Sequence, residues 1–221
     1  MEKVFLGGYF ALLIIFIIVF LVNYSTINKF EKASKSINNY YECVEKIKNY
    51  RNSIVKDDIE LKKGKVCFFD ANKKYISFVE KENYKEYDLF VFSHEIGHSI
   101  ECYKHHVIYT VISIVNVFVL LFYIANVVIN VVFIIKHPFS RNLLIIFNSV
   151  TIFLFAVKLF SLYWIEKKAS LQALKIMDKF GELSVSYDNV INLSIANQYV
   201  FNFLIFSTFF ISFIFSVLFN R

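Results

Sequence analysis

Proline and glycine are nearly absent from this sequence: one proline and five glycines in 221 residues. That scarcity excludes collagen-like, linker-rich and low-complexity disordered chains. The three cysteines, Cys43, Cys67 and Cys102, form no CxxC pair. An odd, scattered set excludes a disulfide scaffold and reads as three free thiols. No base-reading motif accompanies the net charge of +6. Nucleic acid is therefore not expected as a partner, and the excess Lys and Arg fits the loops of a membrane protein.

Apolar residues are plentiful, at 57% of the chain, against about 45–50% in an ordinary soluble domain. The mean hydropathy is +0.53. The excess is concentrated in runs. Residues 5–22 carry no charge, and eighteen residues rise about 27 Å as a helix, close to the hydrocarbon thickness of a bilayer. The following NYSTINKF lacks a small-residue cleavage pattern, so the run reads as a retained anchor rather than a signal peptide. Further spans are expected at 107–135, at 143–165 with only Lys158 inside, and at 199–219. All four should be helices, because every backbone polar group in lipid needs an internal partner.

The expected organisation is an N-terminal transmembrane anchor (1–22), a polar region (23–106), a transmembrane hairpin (107–165), a second polar segment (166–198) and a C-terminal span (199–221). The hairpin turn KHPFSRN at 136–142 returns the chain, so both polar regions share one side. The termini and turn carry Lys3, Lys136, Arg141 and Arg221, and the polar regions carry nineteen other basic residues. That bias expects the polar regions to be cytoplasmic and both termini outside.

Within 23–106, Ile27, Phe30, Ala33, Ile37, Tyr40, Val44, Ile47 and Ile54 recur in steps of three and four. This predicts one amphipathic helix over 27–54 with Ser25 or Thr26 as its N-cap. Residues 65–69 and 75–80 predict two short strands joined by a turn at Asp70-Ala-Asn-Lys-Lys74. Asp88 is expected to cap a helix over 89–106 that runs nearly unbroken into the second span. The fold class is thus a mainly α membrane protein: four transmembrane helices and a small α+β catalytic region of helix plus β-hairpin, with an HExxH zinc-peptidase-like helix.

That helix carries His94-Glu95-Ile96-Gly97-His98. Residues four apart share a helix face, so both imidazoles can aim at one point. Glu95 is placed to hold a water at the metal's open position and take its proton. With five His and twelve Glu in the chain, random order yields roughly 0.006 matches to HExxH. A third ligand must be deprotonated and on the same side. Glu166, directly after the third expected span, meets that demand and opens a predicted helix. Small residues at Ala169, Ser170 and Ala173 would let this helix pack closely on the HEIGH helix.

The pattern His94-Glu-Ile-Gly-His98, a long span, a tight hairpin, another span and Glu166-x-x-Ala169-Ser170 resembles the neutral zinc metallopeptidase family of bacterial membranes often called YugP-like. The resemblance covers nearly the whole chain. The segments Asp70–Ser77 and Ala196–Val200 add weaker matches. More distantly, the layout is similar to the HtpX-like membrane proteases. The resemblance implies a bacterial multi-pass membrane zinc metallopeptidase with Zn2+ as cofactor. It implies His94, His98 and Glu166 as zinc ligands and Glu95 as the catalytic carboxylate. Ser170 stands where HtpX-like enzymes carry an acidic residue. Ser99 and Glu101 replace the family's usual Ala and Gln.

Expected partners are a protein or peptide substrate, including membrane proteins, and the lipid bilayer. The strand Tyr75–Glu80 is an expected docking edge for an extended substrate. Glu101 reads first as a solvated helix face and second as an outer partner of the site. His105 and His106 read as interface residues, and His137 belongs to the opposite side. Lys158 reads as a snorkelling residue. Tyr187 and Tyr199 could donate to a tetrahedral intermediate but are not counted among the expected catalytic residues. Two rival functions stand beside the peptidase: an inactive relative that binds metal or proteins, which the intact Glu95 argues against, and a transporter, for which internal repeats are missing.

Overall fold

A computed structural model describes residues 2–136, 141–180, 187–196, 199–200, 202–203 and 207. Among the described residues, helices and short strands follow in the order α1 (Glu2–Ala33), β1 (Ser36–Ile37), α2 (Tyr40–Ile54), β2 (Glu60–Gly64), β3 (Phe68–Asp70), β4 (Tyr75–Val79), β5 (Tyr84–Lys85), α3 (Glu86–Lys104), α4 (His106–Lys136) and α5 (Arg141–Phe180). Residues 188–196 are also helical.

The chain divides into two compact units. The first comprises Met1–Asn23, Thr110–Leu162 and Ala196–Arg221; the second comprises Tyr24–Tyr109 and Tyr163–Ile195. Among the described residues, three helices are long and apolar enough to cross a membrane, over Leu13–Ala33, His106–Ala125 and Ile145–Phe180. In the first unit the polarity of a water-soluble core is inverted. Asn148, Thr151, Asn23, Asn202 and Ser207 are buried, whereas Phe153 and Phe160 are 66% and 73% exposed. Apolar side chains outward and polar ones inward is the arrangement that lipid rewards, because hydrocarbon offers no partner to a hydroxyl or amide. The chain is therefore membrane-associated. Most of the fourth expected span, 199–219, and most of the hairpin turn, at 137–140, lie outside the described residues; 199–200, 202–203 and 207 are helical.

The second unit departs from expectation in several places. The helix predicted over 27–54 is two helices. Ser25 and Thr26 lie inside α1 rather than capping it, and α1 ends at Ala33. Ser34 turns its hydroxyl onto the Glu31 carbonyl at 2.6 Å, and Lys85 Nζ donates to the Glu31 and Lys32 carbonyls at 3.0 and 3.3 Å. These donors satisfy carbonyls that a continuing helix would have used. Ile37, which fits the helical period, instead pairs with Tyr84 in the β1–β5 ladder. Tertiary pairing overrides local periodicity here.

The predicted hairpin forms as β3 against β4, antiparallel, with Phe69 opposite Ile76. Asp70 Oδ1 accepts the amides of Asn72 and Lys73 at 3.0 Å each, and Lys74 takes a left-handed φ of 53°. The expected two-stranded ribbon is, however, a three-stranded sheet. Unforeseen β2 adds to β4 in parallel, giving the order β2-β4-β3. Glu60-Leu-Lys-Lys-Gly64 has too few apolar residues to announce a strand. Only Leu61 joins the core, beside Phe69, Ile76 and Phe78.

Asp88 lies in the first turn of α3 rather than at its cap. Lys85 is the N-cap, and its amide donates to Asp88 Oδ2 at 2.8 Å. As predicted, α3 runs almost unbroken into the next helix, with His105 alone between them. Glu166 does not open a helix: α5 continues through it from Arg141 to Phe180. Ile47, Phe92, Ile96, Ile100, Ala173 and Ile176, all essentially without exposed surface, join α2, α3 and α5 in one core.

Candidate metal centre

The site lies within the second unit, where α3 meets α5. Gly97 makes that meeting possible. A Cβ placed there would lie 2.4 Å from the Ala169 carbonyl oxygen, so only hydrogen fits. Ala169 and Ala173 have no exposed surface and Ser170 has 3%. The small-residue stripe thus brings the two backbones together as expected. Ser93 Oγ adds a contact to Met177 Sδ at 3.5 Å.

Close approach brings three donors to one point. His98 Nε2 lies 3.1 Å from His94 Nε2. Glu166 Oε2 is 3.2 Å from His94 Nε2, and Glu166 Oε1 is 3.7 Å from His98 Nε2. The rings stand nearly perpendicular, at 88°. A tetrahedral ion with bonds of about 2.0–2.1 Å holds its donors about 3.3–3.4 Å apart. The observed separations match that geometry, and two imidazoles with one carboxylate suit a divalent ion of the zinc type. Among the described residues, this is the one group of three such side chains that could hold a metal ion.

Two further residues orient the donors. Ser170 Oγ lies 3.2 Å from His94 Nδ1. A hydroxyl accepting from Nδ1–H leaves the Nε2 lone pair facing the site. Ser170 thus puts an uncharged oxygen on the ring nitrogen of His94. The sequence offered two signals for Ser170: its position one helical turn after Glu166, and the HtpX-like resemblance, which puts an acidic residue there. On the far side of α3, buried Arg51 of α2 donates from Nε to Ser99 Oγ at 2.9 Å and from a terminal nitrogen to Asn52 Oδ1 at 3.0 Å and to the Asp57 carbonyl. It fixes the residue that follows His98. Burial lowers the affinity of this guanidinium for its proton, which its three acceptors offset.

Glu95 faces a different partner. Its Oε2 accepts the backbone amide of Phe69 on β3 at 2.9 Å, which leaves Oε1 for a water. Its carboxyl is pushed up to about 7, chiefly by burial and also by Glu166, while His94 and the Phe69 amide pull the other way. A carboxyl poised there can both take and return a proton near neutrality. Burial, with the charge of Glu95 added, pushes the nearby Cys67 thiol up to about 12. Cys67 is thus a thiol at neutral pH, and it is not one of the three clustered donors. All three cysteines are free.

The remaining candidates fall elsewhere. Glu101 is not a solvated residue. It is 3% exposed, accepts from Gln172 Nε2 at 2.7 Å and faces His105 Nε2 at 3.6 Å, so it ties α3 to α5. His105 packs edge-on against Trp164. Tyr187 is a core residue, stacked on Phe90 at 4.6 Å. In the first unit Tyr199 donates its hydroxyl to the Leu159 carbonyl at 2.7 Å, and Lys158 Nζ lies 5.6 Å from the Phe155 ring centre. His137 lies outside the described residues. The strand expected to receive substrate, β4, is central in its sheet and already paired on both edges.

No protein-family model, no curated protein and no solved structure matches this chain.

Proposed function

We propose that the chain is a membrane metallopeptidase with zinc as its metal. The observation that carries this reading is the convergence of His94, His98 and Glu166 to within one ion's reach, with Glu95 directly beside them on α3. The resemblance to the YugP-like family supports the same assignment. A divalent ion bound there supplies Lewis acidity for the substrate carbonyl and acidifies water. The chain's own residues do the rest. His94, held by Ser170, and His98 present ring nitrogens, and Glu166 presents a carboxylate. Glu95 accepts a proton from the attacking water and delivers it to the nitrogen of the departing amine. The Phe69 amide keeps the carboxylate turned toward that water.

A four-span bacterial membrane protein with a cytoplasmic endopeptidase site is the full form of the proposal. It rests on the apolar runs, the distribution of Lys and Arg, and the resemblance. Membrane proteins are the substrates that such a setting favours. The test is hydrolysis of quenched peptides by the detergent-purified protein beside Glu95→Gln. The proposal expects the variant to keep its metal and lose hydrolysis. Equal hydrolysis by both proteins would contradict it, and metal binding without hydrolysis in the unaltered chain would favour an inactive metal-binding relative.

A further inference from the structure

A cleft of about 490 Å³ opens in the second unit, and none of His94, Glu95, His98 and Glu166 lines it. The short β1–β5 ladder builds one wall. Ile37 pairs with Tyr84 and Ser36 with Lys85, and the Glu86 amide donates to the Lys35 carbonyl at 2.9 Å. The ladder thereby brings Lys35 and Glu86, residues of opposite charge, together at the cleft. Clefts of about 300–1,000 Å³ that combine an apolar lining with a few placed polar groups are the usual setting for small ligands.

This lining has both parts. Leu89 of α3 and Met177 and Phe180 of α5 supply the apolar surface. Glu86 is only 5% exposed, a rare degree of burial for an acidic side chain. A carboxylate offers about four acceptor positions, so Glu86 can take the donors of a guest beside the contacts that it already makes. Lys35 is exposed and forms no ion pair among the described residues. Asn38 and Asn39 stand with it along the cleft. Asn39 is the N-cap of α2, where an asparagine oxygen usually bonds the first amides of the helix. Its side chain makes no such bond, which leaves the amide to the cleft.

We propose that this cleft binds a zwitterion of the α-amino acid type with a large apolar side chain. Its ammonium group meets Glu86, its carboxylate meets Lys35 with the Asn38 and Asn39 amides, and its side chain lies on Leu89, Met177 and Phe180. The two charges of the cleft set this choice. A purely apolar guest would strip water from Glu86 and give nothing back. A fatty acid would leave Glu86 without a cation, and a plain amine would leave Lys35 without an anion. A free amino acid and the two ends of a short peptide carry the same chemistry, so both are sources of the ligand. The site stands independently of the peptidase reading, because it shares no side chain with the candidate metal centre.

The test is calorimetric titration of the full chain in detergent with four probes: leucine, leucyl-leucine, N-acetylleucine and leucinamide. Leucine or leucyl-leucine should bind, and whichever binds more tightly identifies the source. N-acetylleucine, which lacks the ammonium group, and leucinamide, which lacks the carboxylate, should each bind at least about tenfold more weakly. Lys35 is at the surface, so Lys35→Met tests its charge without disturbing the core. That variant should lose about tenfold or more in affinity for leucine yet bind leucinamide as wild type does. Glu86→Gln should show the converse, weakened for leucine and unchanged for N-acetylleucine. No binding of leucine or leucyl-leucine up to about 10 mM, equal binding of all four probes by the wild type, or full leucine affinity in Lys35→Met overturns the proposal. Each of these results leaves the peptidase reading intact.

Discussion

Gly97 and Ala169 set the distance between the two helices that carry His94, His98 and Glu166: a Cβ on Gly97 would sit 2.4 Å from the Ala169 carbonyl oxygen. The obstacle is backbone, which cannot rotate aside. Gly97→Ala therefore has to push α3 from α5 and separate His94 and His98 from Glu166. We expect a loss of about 1–3 kcal/mol in stability together with weakened metal binding, read by thermal unfolding and by metal titration of the same sample. Unchanged metal affinity would contradict this account of the helix contact.

Ser170 holds His94 through Nδ1 at 3.2 Å. Removing the hydroxyl frees the ring and its tautomer, so Ser170→Ala should weaken metal binding about 10-fold or more. Ser170→Asp should restore or exceed wild-type affinity, because a carboxylate in that place raises the basicity of the imidazole. Competition against a chromophoric chelator measures both, and equal affinity in all three proteins would remove Ser170 from the site.

Buried Glu101 relies on Gln172, whose amide donates at 2.7 Å. Gln172→Ala leaves that carboxylate short of a donor and should cost about 1–3 kcal/mol. Gln172→Glu sets two carboxylates together and should cost more. Denaturant titration checks the order, and a neutral Gln172→Ala would show that His105 satisfies Glu101 alone.

Glu95 gives the metal-free chain a pH dependence of definite sign. Its folded carboxyl is pushed up to about 7 from an ordinary value of 4.5. Between those two values the folded chain keeps a proton that the unfolded chain has lost. Stability from this group is thus fully present at the acidic end and declines as pH rises through the window. Unfolding midpoints of the chelator-treated protein, taken as wild type minus Glu95→Gln, should fall from pH 4.5 to pH 7 and then level off. Parallel curves would contradict the burial of Glu95.

The cluster that could hold a metal ion was legible because its spacing is set by the helix itself: His94 and His98 are one turn apart, and the Ala169–Ser170–Ala173 stripe announces a close neighbour. The hairpin was legible from Asp70 and the turn residues after it. What escaped the sequence depends on contacts distant in the chain. The break after Ala33 is fixed by Lys85 and by the pairing of Ile37 with Tyr84, more than forty residues away. Strand β2 takes its form from β4 rather than from its own lysine-rich residues. The continuity of α5 through Glu166 was obscured by the change from apolar to charged residues, which alters what surrounds a helix without ending it.

Metal content of the detergent-purified protein, wild type beside Glu166→Ala, tests the central claim most directly. Elemental mass spectrometry should find about one zinc per wild-type chain and a sharp loss in the variant. Folded wild type without metal, or zinc retained in full by Glu166→Ala, would contradict a centre built from His94, His98 and Glu166.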